Sequence, residues 1–336
     1  MAIKYITKNK NLITQIKEFI INWDDISPTI KIKTSGSTGK PKTIELKKTN
    51  MIFSAKMTGD FFNLKEGETI LLNLSPKTIG GAMIIVRSIV LKLNLIVVDI
   101  NSNPLENLNE LVDFAAMVPS QVKVSIDNYP QKFNYIKNLI IGGGPISNKL
   151  KKEIKKLGCN CYHTFGMTET ISHIALKNLK NESYFKILNG VKINIVNNCL
   201  EITAPKLGCE KLLTNDIIEL KSNKSFKWIG RSDLAINSGG IKIIPSIIEG
   251  KLIDIINSSF FCYGIPDDKL GQKHILIIEN DENMKINKSD FKTLDRKQIP
   301  KEIYFLKKFI YTSSGKINRI ESYNLIRRNK IQGKEI

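Results

Sequence analysis

The run Thr34-Ser35-Gly36-Ser37-Thr38-Gly39-Lys40-Pro41-Lys42 concentrates the groups that hold a phosphate. Small residues let the backbone turn tightly, so that amide N–H groups and hydroxyls converge on one anion. Lys42, at the end of the run, adds a point charge. A Walker-type loop needs four residues between its first glycine and the Gly-Lys-Ser/Thr ending. Here two residues separate Gly36 from Gly39, and Pro41 follows Lys40. This is a different phosphate loop. A flexible linker is the alternative, but apolar residues flank the run at period two, Ile30 and Ile32 before it and Ile44 and Leu46 after it. That spacing predicts strand–loop–strand.

A second constellation is Phe165-Gly166-Met167-Thr168-Glu169. Phe165 offers a flat apolar face, and the missing side chain of Gly166 lets a planar ring approach. Thr168 brings a hydroxyl, and Glu169 is a hard oxygen ligand suited to magnesium. Taken alone, Glu169 reads better as an ordinary helix-start carboxylate. Gly142, Gly143 and Gly144 follow an apolar strand, and the carboxyl ends of parallel strands are where open sheets bind ligands; a purely structural tight turn is the alternative. Further along stand Asp216, Gly230-Arg231-Ser232-Asp233, Gly239-Gly240 and, on a Ser313-Ser314-Gly315 turn, Lys316. A lysine on such a turn is ordinarily just solvated, so its context must decide.

The elements that position these groups follow from periodicity. Residues 1 to about 28 predict a short helix with Leu12, Ile16, Phe19 and Ile20 on one face. Helix is also expected from Lys48 to Phe62, with Met51, Phe53, Ala55 and Met57 in the core. Strands are expected at Thr69–Leu74 and Leu95–Ile100, with a loop over Ser75–Gly81 and a helix over Ala82–Leu91 between them. Phe114 to Gln121 reads as strand and turn. This alternation predicts a mostly parallel α/β sheet, followed by short antiparallel strands from Tyr184 to Leu220. Polar residues and glycines interrupt the pattern near Asp233. We therefore expect a large N-terminal α/β domain over 1–232 and a small mobile α+β domain over 233–336.

Composition narrows the class. The chain has 336 residues, enough for two domains and a large core. No apolar run reaches the roughly 18 to 20 residues of a membrane span, and the N-terminus lacks the apolar segment of a signal peptide. Five cysteines, scattered except for Cys159 and Cys161, give neither a disulfide framework nor a zinc spacing, and a reduced cytoplasm is expected. The net charge of +19 invites a nucleic-acid reading. However, only six residues are Arg, and the lysines are spread along the chain. Compositional drift toward Lys, Asn and Ile explains the charge without a nucleic-acid partner.

In order and spacing, these motifs resemble the acyl-adenylate-forming superfamily from about residue 33 to 320. Thr34–Lys42 is similar to that family's phosphate loop, and Phe165-Gly166-Met167-Thr168-Glu169 to its adenine and magnesium motif, with Phe in the usual Tyr position. Asp216 corresponds to the ribose-binding carboxylate, although Asn215 replaces the usual preceding Gly. Gly230–Asp233 resembles the hinge motif, with Arg231 near the ribose and Asp233 as pivot, and Lys316 matches the C-terminal catalytic lysine. Thr168–Leu176, Thr214–Leu220, Ile236–Ile243 and the segment Ile79–Arg87 are similar to the 2-succinylbenzoate–CoA ligase branch. Only 33 residues precede the phosphate loop, so a reduced first subdomain is expected.

The resemblance implies ATP, Mg2+ and coenzyme A, with Lys316, Thr168 and Glu169 catalytic and Glu169 on the metal. It implies that Thr34, Ser35, Gly36, Ser37, Thr38, Gly39, Lys42, Gly142, Gly143, Gly144, Phe165, Gly166, Met167, Asp216 and Arg231 hold nucleotide. Gly239 and Gly240 would line the path of the CoA thiol. The partners implied are a small-molecule carboxylic acid, ATP and CoA, with no nucleic acid and no membrane span, and a homo-oligomer is compatible with it. A 2-succinylbenzoate substrate carries a second carboxylate that needs a partner. Arg87, the only Arg before residue 231, is the candidate, with a surface Arg snorkelling from a core helix as the alternative. His173 is a second, weaker one, with a hydrogen-bonded packing residue as its alternative. Another aryl- or acyl-CoA ligase is the alternative within the family, and a non-catalytic basic binding protein the alternative outside it.

Overall fold

The first element is one that periodicity does not reveal. β1 (Ile3–Tyr5) precedes α1 (Lys10–Asp24), and it pairs in parallel with β5 (Asn94–Val97). Three residues are too few for an alternation to register. The computed structural model describes residues 2–33, 43–280, 284, 286–312 and 317–336. In α1, Leu12, Ile16, Phe19 and Trp23 are the buried residues, while Ile20 is only partly covered. The expected strand–loop–strand is present as β2 (Thr29–Lys33) and β3 (Thr43–Lys47), paired antiparallel from Thr29↔Lys47 to Lys33↔Thr43. The loop Thr34–Lys42 between them lies outside the described residues.

Next come α2 (Lys48–Phe62), β4 (Thr69–Leu72) and α3 (Ile79–Val90), then, beyond β5, β6 (Val112–Met117) and α4 (Pro119–Asn128). β7 (Ile136–Ile141), α5 (Asn148–Ile154) and β8 (Asn160–Gly166) complete the alternating region. The strands that follow are β9 (His173–Asn178), β10 (Phe185–Ile187), β11 (Lys192–Val196), β12 (Cys199–Ala204), β13 (Cys209–Ser222) and β14 (Ser225–Arg231). β1 and β4 to β14 form one sheet of 12 strands among the described residues, in the order β1-β5-β4-β6-β7-β8-β9-β10-β14-β13-β12-β11. Pairing is parallel from β1 through β8, where helices intervene between strands. It turns antiparallel from β9 onward, where short loops replace them.

Two expectations need correcting. Gly80 and Gly81 do not form a turn before the helix; they are its first turn. Thr78 caps α3, its Oγ1 accepting from the Gly81 amide, and a Cβ at Gly81 would sit 2.2 Å from Ser75 O. These glycines serve a close approach of helix to loop rather than a reversal. Likewise Pro119 opens α4 rather than a simple turn. Its fixed φ and missing N–H suit the first helical position, and the Gln121 side chain accepts from the Val118 amide at 3.2 Å.

α3 runs through the core. Gly81 to Ser88 are buried without a break, as expected for a helix that is apolar all round. Each buried Ile or Met there contributes about 1.5–3 kcal/mol of transfer free energy. Arg87 is the exception inside this helix.

Between Arg231 and Ile236 the chain passes from the first sheet to a second. That sheet contains β15 (Ile236–Ser238), β16 (Ile241–Ile243), β17 (Phe260–Asp267), β18 (Gly271–Glu279), β19 (Glu302–Leu306) and β20 (Lys334–Glu335), with α6 (Pro245–Leu252) and α7 (Arg319–Arg328) beside it. The two halves touch: Ser246 Oγ donates to Ile229 O at 2.8 Å, and Lys149 N donates to Asp254 Oδ1 at 2.9 Å. Among the described residues no helix is long and apolar enough to cross a membrane.

Candidate functional site

The ends of β7 and β8 bring the glycine run beside the Phe165 segment. A Cβ at Gly142 would lie 2.2 Å from Thr164 Oγ1, and Gly143 has φ +83°. The glycines therefore let two neighbouring strand ends close on each other. Phe165 packs edge-on to Phe226, with centroids 5.1 Å apart. Gly166 has a nearer reason for its missing side chain than an approaching ring: a Cβ there would sit 2.3 Å from Ser172 O.

That close contact belongs to a tight turn, Thr168–Thr170, which ends in an unusual residue. Ile171 is buried with φ +65° and ψ −51°, a left-handed φ that costs a β-branched residue about 1–3 kcal/mol. Thr170 helps to hold it, its Oγ1 accepting from Met167 N at 3.0 Å and donating to Ser172 O at 2.8 Å. The turn presents Glu169 outward to solvent and Ser172 and His173 inward. Strain of this kind is held by surrounding structure and marks functional segments.

On the outward side, Glu169 shares its field with the pair β13–β14. Asp216 opposes Arg231 across that pair. The Arg231 guanidinium is held up first by its hydrogen bonds to Asp233, with Asp216 and Glu169 adding to the effect. Those bonds are bidentate, Nε to Oδ1 at 2.9 Å and a terminal nitrogen to Oδ2 at 2.7 Å. Asn215 Nδ2 also reaches Asp233, at 3.3 Å. Asp216 is buried, which raises its carboxyl above the usual range, while a Trp228 hydrogen bond opposes the rise.

On the inward side, four side chains form a closed network. Arg87, 1% exposed, donates from Nε to Thr58 Oγ1 at 3.2 Å and from a terminal nitrogen to Ser172 Oγ at 2.9 Å. His173 Nε2 lies 3.3 Å from Thr58 Oγ1, and its Nδ1 lies 3.3 Å from Ser172 Oγ. The directions can be deduced. Thr58 spends its hydroxyl proton on Ser54 O at 3.1 Å, so it must accept from both Arg87 and His173. Nε2 of His173 therefore carries the proton, and Nδ1 accepts from Ser172. No carboxylate pairs with Arg87 among the described residues, and burial pushes the guanidinium down to about 9. Burial first, then the Arg87 charge, holds the His173 imidazole neutral well below its usual range. We predict a His173 that stays neutral and Nε2-protonated below the usual imidazole range, read by 15N NMR of the imidazole. Because its folded value is depressed, the stability it contributes is present above about pH 6.5 and is lost as pH falls. A doubly protonated ring at pH 6 would refute this network.

Glu169, Asp216, Arg231 and Asp233 are thus brought together, with Arg87 and His173 behind the same turn. Gly239 and Gly240 stand apart, in the β15–β16 turn, with φ +57° and +77°. Lys316 lies outside the described residues, as does the phosphate loop. Thr58, Ser172, Ile171 and Trp228 escaped the sequence reading; of these only Ser172, next to the candidate His173 and adjacent to the motif, carried a signal that could have found it.

Comparison with known proteins shows the family. Residues 24–206 match the AMP-binding enzyme family. The chain is 32% identical to the solved acyl-CoA synthetase (AMP-forming)/AMP-acid ligase II-like protein from Dyadobacter fermentans, covering 95% of each chain with a TM-score of 0.64. It is 26% identical over 327 residues to the 2-succinylbenzoate–CoA ligase of Enterococcus faecalis, spanning 84% of this chain and 67% of that one. The Bacillus subtilis O-succinylbenzoate coenzyme A synthetase, solved with ATP and magnesium ion, superposes with a TM-score of 0.78 at 20% identity. That superposition covers 87% of this chain and 69% of that one.

Proposed function

This chain belongs to the AMP-binding enzyme family, and we propose that it is an AMP-forming acid–CoA ligase whose acid is 2-succinylbenzoate, acting in menaquinone biosynthesis. The observation that carries the choice of acid is the buried Arg87 guanidinium, gripped by two hydroxyls and paired with no carboxylate among the described residues. A buried cation without a counter-charge costs several kcal/mol. An acid with a second carboxylate would supply that charge.

In the proposed first step a carboxylate oxygen of the acid attacks the α-phosphorus of ATP. The bond to the β-phosphate oxygen breaks, and pyrophosphate leaves. Asp216 would accept from the ribose hydroxyls, Arg231 would lie by the ribose, and Phe165 with Gly142–Gly144 would flank the adenine. The Thr34–Lys42 loop would cradle the departing phosphates, and Lys316 would offset the charge that develops. Magnesium accompanying a nucleotide is held through one or two carboxylates plus phosphate oxygens. The outward-facing Glu169 offers such a donor, and the ion, when bound, neutralises phosphate charge. In the second step the CoA thiolate attacks the acyl carbon, and AMP leaves. We read Asp233 as the pivot between 1–232 and 233–336 that exchanges Lys316 for Gly239 and Gly240 between the two steps. The five cysteines are all free, which supports a reduced cytoplasm as the place of action.

The direct test is pyrophosphate release over a panel of aromatic and aliphatic acids, with and without CoA. Selective turnover of 2-succinylbenzoate supports the reading, and preference for a monocarboxylic acid overturns the choice of substrate. A further prediction concerns Gly240→Leu. Nothing lies within 4 Å of a Cβ built there, so the cost in this state is chiefly the left-handed backbone, about 1–2 kcal/mol. Adenylation is expected to stay within about twofold, while thioester formation falls by about a hundredfold because the thiol path is obstructed. Unimpaired thioester formation would remove Gly240 from that path.

A further inference from the structure

Asp216 is held by a side chain that a regular β-ladder would have turned away from it. Along β13–β14, Asp216 opposes Arg231 and Ile217 opposes Gly230, but Ile218 opposes Trp228, which leaves Ile229 as an extra residue. Without that bulge, Ile218 would face Ile229, and Trp228 would oppose Glu219 on the other face of the sheet. A one-residue slip exchanges faces, and a bulge re-aims a side chain in this way. The bulge returns Trp228 to the face of Asp216, where its Nε1 donates to Asp216 Oδ1 at 2.8 Å. The bulge is itself pinned. Ser246 Oγ takes the Ile229 carbonyl, and a Cβ at Gly230 would meet Ser246 Oγ at 2.2 Å. Arg231, the cross-strand neighbour, commits two nitrogens to Asp233.

We propose that Trp228 is a positioning residue for nucleotide binding: its indole N–H fixes one oxygen of the Asp216 carboxylate and so aims the other at a ribose diol. The inference rests on reading Asp216 as the ribose-binding carboxylate. Asp216 is only 6% exposed, so a carboxylate free to rotate there would meet the ribose in several orientations, and only one of them accepts both hydroxyls. The hydrogen bond to a charged group selects that orientation before the nucleotide arrives.

The test is calorimetric binding of Mg-ATP and of Mg-2′,3′-dideoxy-ATP to the full chain, independent of the acid. Trp228→Phe is expected to weaken ATP by about tenfold and the dideoxy analogue by less than about twofold, because that analogue has no diol to orient. Trp228→His, which keeps a ring N–H, should restore part of the loss. Equal weakening of both nucleotides by Trp228→Phe, or no weakening of ATP, overturns the proposal. Asp216→Asn separates the premise from the inference. If it leaves ATP affinity unchanged, the ribose reading of Asp216 falls and the inference with it. If it weakens ATP selectively while Trp228→Phe does not, the inference alone falls. Should Trp228→Phe fail to fold, Trp23→Phe leaves Trp228 as the one indole, since the chain has two tryptophans. Its emission is expected to shift on saturation with AMP, and bound AMP with unchanged emission overturns the proposal.

Discussion

Alanine at Lys316 is expected to slow adenylate formation by about a thousandfold while leaving thioester formation from supplied acyl-adenylate within about twofold. The two half-reactions need different things from this residue. Pyrophosphate expulsion builds negative charge that an ammonium can offset, whereas thiol attack on the adenylate discharges AMP and needs no second cation at the α-phosphate. The segment Ser313–Lys316 lies outside the described residues, but both of its flanks are anchored. Tyr311 and Ile317 form an antiparallel bridge, and the Tyr311 hydroxyl donates to Glu279 Oε2 at 2.5 Å. The flanking anchors at Tyr311 and Ile317 do not involve the lysine ammonium. Separate assays of pyrophosphate release and of thioester formation distinguish the roles. Equal loss in both would make Lys316 a structural residue and remove the charge argument.

What could be read from sequence was whatever local periodicity or composition encodes. α2 was legible to its ends, Lys48–Phe62, because the period-two strand β3 stops directly before it and an αL residue, Asn63, ends it. β7 and its glycines were legible because a buried parallel strand is an apolar run with a turn signal. β1 was not, since three residues carry no period, and its place is fixed by β5, ninety residues later in the chain. The Trp228–Asp216 contact was illegible for a different reason. Strand alternation predicts the wrong face, and the bulge that reverses it depends on Ser246 in the other half of the molecule. Thr58 and Ser172 are ordinary helix and turn residues by type. They become special only when Arg87, an unbroken core helix away from solvent, turns out to need acceptors.

Methionine at Arg87 is expected to raise the Michaelis constant for 2-succinylbenzoate by about a hundredfold, and to leave that for ATP nearly unchanged. Removing one partner of a desolvated charge pair costs about 2–5 kcal/mol, and each 1.4 kcal/mol is tenfold. The same change should not lower the melting temperature of the ligand-free protein. There Arg87 is a buried cation held by two hydroxyls and the Phe114 ring, with no carboxylate among the described residues, and an apolar side chain of similar volume avoids its desolvation. Thr58, Ser172 and His173 keep the hydrogen bonds they make to one another, so the variant leaves the hydroxyls partnered. A purely structural arginine predicts the opposite pair of results, a lower melting temperature and an unchanged Michaelis constant. A substrate analogue without the ring carboxylate completes the test. Arg87→Met should penalise that analogue by less than about threefold, because the group that Arg87 reads is already missing. An equal penalty for analogue and substrate would mean that Arg87 acts on the pocket as a whole rather than on the second carboxylate.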